Sequence, residues 1–248
     1  MAVRLQLQSA DVSLRVRLIV AGAAGCLLLI GVGLVARDWL APGVWYPWKA
    51  AALFAALVAT ALAFVGQHPF PRLGPANRLT LVRAMLVALT AALIGEAPTP
   101  RVAAAAIVAT AVITVLDGVD GWLARRSRMG SAFGARFDME TDALLVMVMS
   151  ALVWTHGKAA VWILACGLLR YAFVAAGWVL PWMAGPLSPT HRAKTIAIAS
   201  LVGLSVALAP FVPPPVSGIV AAVTLASLAW SFGVDVRRLW RQRVYKPT

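Results

Sequence analysis

The chain has 248 residues, 61% of them hydrophobic and only 12% charged, with a mean hydropathy of +0.85. That balance excludes both an ordinary soluble domain and a disordered one; repeated apolar runs of about 18 residues or more point instead to an all-α polytopic membrane protein, and the alternating segments of a β-barrel are not visible. The formal charge of +13 suits basic cytoplasmic loops against anionic headgroups, and no nucleic-acid partner is expected.

Met1–Arg17 is short and polar. The first apolar run, Leu18–Ala36, lacks a small-residue cleavage site followed by a soluble region, so it reads as an uncleaved helix rather than a signal peptide. The loop Arg37–Trp48 is rich in Trp, Tyr and Pro, as an interfacial aromatic belt would be. A second helix is predicted over Lys49–Gly66, and Gln67–Ala76, with three prolines and Arg72, as a loop or interfacial segment. A six-helix core follows, at about Asn77–Ile94, Arg101–Arg126, Gly134–Trp154, Lys158–Leu180, Pro189–Ala209 and Val216–Val234. A basic tail, Arg237–Lys246, ends the chain. The expected organisation is thus a two-helix N-terminal region (1–76), a core (77–234) and a tail (235–248), with eight spans in all. Cys26 and Cys166 lie in apolar runs and read as packing residues, with neither a disulfide nor a metal site indicated.

Counting charges orients the spans. With the N-terminus in the cytoplasm, 17 of the 22 Lys and Arg fall on cytoplasmic segments and four on outer loops, leaving Arg170 inside a helix. This positive-inside bias puts both termini and the 125–136 hairpin on the cytoplasmic side, expected to be that of a cell inner membrane.

The chain has nine acids, and five of them lie in one stretch: Asp117, Asp120, Asp138, Glu140 and Asp142. Its apolar flanks, Val102–Leu116 and Ala143–Trp154, contain no charge. Acids embedded in apolar helices need partners or a wet cavity, and so mark function. At 100° per residue, Asp117 and Asp120 share one face with Gly121 and Ala124. Asp138 and Asp142 share another, from which Glu140 points away. In an antiparallel hairpin, residues at equal depth have constant number sums. Asp117 and Asp142 sum to 259, and Asp120 and Asp138 to 258, so four carboxylates face one another in two matched pairs. They cannot all stay ionised uncompensated. Oxygen ligands without His or Cys favour Mg²⁺ or Mn²⁺, and paired ions with small-residue clearance at Gly121, Ala124 and Gly134 and a nearby Arg125 describe a diphosphate site. The plainer alternative is a solvated hairpin in which the acids pair with Arg125, Arg126, Arg128 and Arg136.

The pattern D-x2-D-G-x2-A-R-x8-G-x3-D-x3-D is filled at every position, by Asp117, Asp120, Gly121, Ala124, Arg125, Gly134, Asp138 and Asp142. It resembles the signature of the CDP-alcohol phosphatidyltransferase family over the six-helix core. Asn77, Thr80 and Arg83, in Asn77-Arg-Leu-Thr-Leu-Val-Arg83, resemble the entry to that family's first core helix. The resemblance implies a membrane enzyme of phospholipid biosynthesis that moves a phosphatidyl-type group from a CDP-linked lipid such as CDP-diacylglycerol to an alcohol, releasing CMP. It implies metal binding by Asp117, Asp120 and Asp138, and a general base at Asp142 that also touches a metal. Gly121, Ala124, Arg125 and Gly134 would line the CDP site with Asp117, Asp120 and Asp138.

The acceptor is less legible. Arg170, mid-helix with no acid near it in sequence, is expected to face the cavity and meet an anion. His191, Arg192 and Lys194 lie where family members with phosphorylated acceptors carry basic residues, although His191-Arg192 replaces the Gly-Lys expected there. They read equally well as positive-inside anchors. A phosphorylated polyol, glycerol 3-phosphate or inositol phosphate, is the favoured acceptor, with serine, choline or a second phospholipid still open. The first two helices would cover the core, support a homodimer or shape lipid access. A cation or proton transporter is the rival from another class, but it lacks an inverted repeat or paired broken helices. A catalytically silent scaffold does not account for an unbroken motif.

Overall fold

The computed structural model describes residues 2–70, 72–127, 129–185 and 190–245. Three features anticipated from sequence, Arg128, the Pro189 helix start and Lys246, lie outside them. Among the described residues every regular element is helical. The described residues form eight α-helices: α1 (Ala2–Leu40), α2 (Tyr46–Phe64), α3 (Gly74–Ala92), α4 (Pro100–Ser127), α5 (Ala132–Thr155), α6 (Ala165–Val179), α7 (His191–Leu208) and α8 (Pro214–Tyr245). Among the described residues six stretches are long and apolar enough to cross a membrane, as in a multi-pass membrane protein: Ser13–Leu40, Tyr46–Phe64, Pro100–Ser127, Val161–Val179, His191–Leu208 and Pro214–Arg243. The two helices outside that set, α3 and α5, carry Arg78 and Arg83, and Arg136, Asp138, Glu140 and Asp142. The site's own charges lower their hydropathy.

Three elements differ from expectation, two of them because a helix does not end where hydropathy falls. No Gly or Pro interrupts residues 2–21, and α1 runs through the polar N-terminus to Leu40, just before Pro42. Likewise α8 continues past Val234 to Tyr245, so most of the basic tail is helical. The predicted Lys158–Leu180 helix is instead a 3-10 turn, Val161–Leu164, leading into α6.

The chain divides into two compact units, Met1–Leu145 and Val146–Thr248. In the first, α1 packs on α2, α2 on α3 and α3 on α4. Its core joins Leu18 and Leu29 of α1, Phe54 and Val58 of α2, Ala84 and Ala88 of α3, and Phe133 of α5. Between lipid-embedded helices such contacts stabilise by close packing, since the tails are as apolar as the side chains. A polar clasp fastens the α1–α2 loop to the α3–α4 loop: Glu96 pairs with Lys49 and accepts the Gly43 N–H at 2.6 Å, and Arg101 donates to Trp39 O at 3.3 Å.

In the second unit α6 and α7 both pack on α8. Lys158 Nζ donates to the carbonyls of Ala209 (2.9 Å) and Val212 (2.6 Å), closing the C-terminal end of α7. The helical tail docks beside the 3-10 turn Pro181–Ala184, with Leu239 buried and Trp240 edge-on to Trp182 at 5.2 Å.

Candidate functional site

Helix α3 presents Asn77, Thr80 and Arg83 at three-residue spacing, so they drift by only about 60° per step and form one stripe. All three are buried, and the Arg83 residue is 0% exposed. A charge so placed needs partners, and it has four. Nη1 donates to Asp120 Oδ2 and Asp138 Oδ1, each at 2.5 Å. Nη2 donates to Asp142 Oδ1 and pairs with Asp117 Oδ1 at 3.1 Å. The two nitrogens therefore sort the acids into the pairs that equal depth anticipates, Asp120 with Asp138 and Asp117 with Asp142. Thr80 Oγ1 adds a bond to Asp120 Oδ2 at 3.3 Å. Glu140 is not one of Arg83's partners, as its angle on the helix required.

The expected compensation for the four acids was metal alone, or the hairpin arginines. The structure supplies Arg83 from another helix. Arg126 lies over the Trp122 ring at 5.2 Å and Arg136 over Phe64 at 4.5 Å, and Arg125 is exposed. Even so, four carboxylates against one guanidinium leave a formal charge of −3, more than a wholly buried cation can offset. One carboxylate oxygen each from Asp117, Asp120 and Asp138 lie within 4.8 Å of one another. Ligand oxygens around a single hard cation, at 2.0–2.6 Å from it, are at most about 4–5 Å apart. Asp117, Asp120 and Asp138 are thus spaced as residues that could hold a divalent ion.

Beside the acids lies a cavity of about 290 Å³ lined by Asn77, Thr80, Asp120, Gly121, Ala124, Arg125, Gly134 and Asp138. This is near the lower end of the range for small-molecule sites. Of the seven residues expected to line a CDP site, six, Asp120, Gly121, Ala124, Arg125, Gly134 and Asp138, are on its wall, and Asp117 is not among the residues that line it. Gly134 sits close against α3 there: a Cβ would force the Asn77 side chain to shift. Ser131 holds this wall in place, its Oγ accepting the Gly134 N–H at 3.0 Å at the start of α5.

The four residues considered for the acceptor lie in the second unit. Arg170 is half-buried on α6, and His191 and Lys194 are exposed in the first turn of α7. Arg192 is occupied on α8: Nη1 donates to Ser231 O (3.0 Å) and Oγ (2.7 Å), and Nη2 pairs with Asp235. Sequence reasoning named Arg83 without its role and missed Ser131. The i, i+3, i+6 stripe of Asn77, Thr80 and Arg83 in an otherwise apolar helix was the available signal for the first.

No characterised protein and no solved structure matches the chain. A family model described as CDP-alcohol phosphatidyltransferase matches residues 73–233, more than half of the chain, and takes in all of α3 to α7 and with them Arg83, the four aspartates and the cavity. The chain belongs to the CDP-alcohol phosphatidyltransferase family, membrane phosphotransferases for substituted phosphate groups.

Proposed function

We propose that the protein transfers a phosphatidyl group from CDP-diacylglycerol to a phosphorylated polyol, such as glycerol 3-phosphate or inositol phosphate, with release of CMP. The observation that carries this reading is the four-aspartate cluster around Arg83, opening onto a cavity whose wall is stripped of side-chain bulk at Gly121, Ala124 and Gly134. Small residues let a nucleotide diphosphate lie against backbone, and Arg125 at the rim meets its charge. Asp117, Asp120 and Asp138 hold Mg²⁺ or Mn²⁺, two ions with the help of Asp142. When bound, the metal offsets negative charge on the transferring and leaving phosphates. Arg83 keeps the four carboxylates convergent. Asp142 takes the proton from the acceptor hydroxyl. The freed oxygen bonds to the phosphorus next to the diacylglycerol, and the bond from that phosphorus to CMP breaks. With Arg192 engaged by Asp235, acceptor phosphate recognition falls to Arg170, Lys194 and His191.

The test is CMP release from CDP-diacylglycerol by purified protein with Mg²⁺ or Mn²⁺, one acceptor at a time. Release is expected with a phosphorylated polyol, and Asp142→Asn should abolish it while CDP-lipid binding persists. Release with serine alone would overturn the acceptor assignment, and ion or proton transport without CMP release would overturn the reaction.

A further inference from the structure

His68 lies in the short connection between α2 and α3, before the family-matched segment begins at residue 73, yet it is only 8% exposed. Its two ring nitrogens are both engaged. Nε2 is 2.9 Å from Arg72 O, which can only accept, so Nε2 carries the hydrogen. In the neutral ring Nδ1 is then an acceptor, and Ser131 Oγ, 2.9 Å away, donates its hydroxyl hydrogen to it. Edge-on contacts with Phe70 and Phe133, each at 5.5 Å between centroids, fix the ring plane.

The hydroxyl that His68 orients is the one that starts α5. With its hydrogen directed to His68, Ser131 Oγ presents a lone pair to the Gly134 N–H at 3.0 Å, and Ser131 O accepts from Ala135 N at 3.0 Å. That turn presses Gly134 against Asn77 and leads, one turn on, to Asp138 on Arg83. A side chain outside the family core thus reaches the wall of the cavity through one hydroxyl.

We propose that His68 is a positioning residue for the donor nucleotide: by holding the Ser131 hydroxyl it sets the first turn of α5, and so the spacing of Gly134 and Asp138 from Asn77 across the cavity. The inference rests on the assignment of that cavity to the CDP-lipid. It predicts a larger effect on donor affinity than on chemistry, because every side chain that touches the reacting phosphorus is retained and Asp138 is also held by Arg83.

The test measures donor KM and kcat for CMP release by the full chain. His68→Phe keeps the ring packing and removes both nitrogens. It should raise the donor KM about tenfold, the scale of one lost helix cap, with kcat within about twofold. His68→Gln, whose amide offers one acceptor and one donor, should recover most of the loss. Ser131→Ala should reproduce it, and the double variant should be no worse than either single one. Wild-type KM in His68→Phe, a loss confined to kcat, or additive losses would overturn the proposal. If the wild-type chain binds no CDP-diacylglycerol, the transferase reading fails instead. The His68 relay is then read from amide hydrogen exchange at Gly134 and Ala135, which must quicken in His68→Phe and stay slow in His68→Gln; unchanged exchange would sink it.

Discussion

Arg83 meets four carboxylates with the four N–H bonds of its terminal nitrogens, a match that no other side chain offers. Lysine brings three hydrogens on a single point and cannot span both pairs. Removing one partner from a buried ionic cluster typically costs about 3–5 kcal/mol, because the remaining charges are left without a counterion. Arg83→Ala should therefore lose stability on that scale in a chelator. It should regain part of it in millimolar Mg²⁺, and by more than the wild type gains. Thermal unfolding in detergent with and without the cation checks this; a variant as stable as wild type in chelator would show that Arg83 is not the counterion. At this scale the pairing of the acids was legible from sequence, since helix rise and rotation are rigid and residue numbers alone fix depth and face. The partners of Arg83 and His68 were not, because each bond crosses between elements whose mutual rotation no local pattern encodes.

Among the elements, the positions of all eight α-helices could be read from apolar runs, but their ends could not. Hydropathy marks where a helix leaves lipid and not where it stops, and the two diverge at α1 and α8. The break before α6 shows the converse, with Gly157 at φ +66° and a 3-10 turn inside one apolar run. The junction after α5 also carries a titrating group. His156 Nδ1 donates to Leu152 O at 2.9 Å. Burial, aided by the Lys158 charge and opposed by that hydrogen bond, holds its pKa below the ordinary histidine value. The unfolded chain therefore takes up the proton more readily than the folded one. Stability is full above the unfolded value of about 6.5 and declines as the pH falls through it towards the lowered folded value. A melting temperature that drops between pH 7.5 and 5.5, with the drop reduced in His156→Gln, is the expected result.

For the whole molecule, six stretches qualify as spans by composition, while the reading of eight treats α3 and α5 as spans that sacrifice hydropathy to the site. The two readings make different statements about sidedness. With eight spans and a cytoplasmic N-terminus, Gly130, exposed at the turn before α5, faces the cytoplasm, and Ala97, exposed in the α3–α4 connection, faces outward. A membrane-impermeant thiol reagent should label Ala97→Cys in intact cells and Gly130→Cys only after permeabilisation, with Cys26 and Cys166 replaced by alanine in both. Labelling of both from one side would remove α4 from the set of spans. The arginine within the acid cluster has a consequence for the life of the chain in a cell. On the proposed metal-dependent reading, the partial counter-charge that Arg83 supplies would let the newly made protein be inserted and folded before any metal arrives. Synthesis and activation would then be separate events, and a shortage of divalent ions would idle the enzyme instead of destroying it.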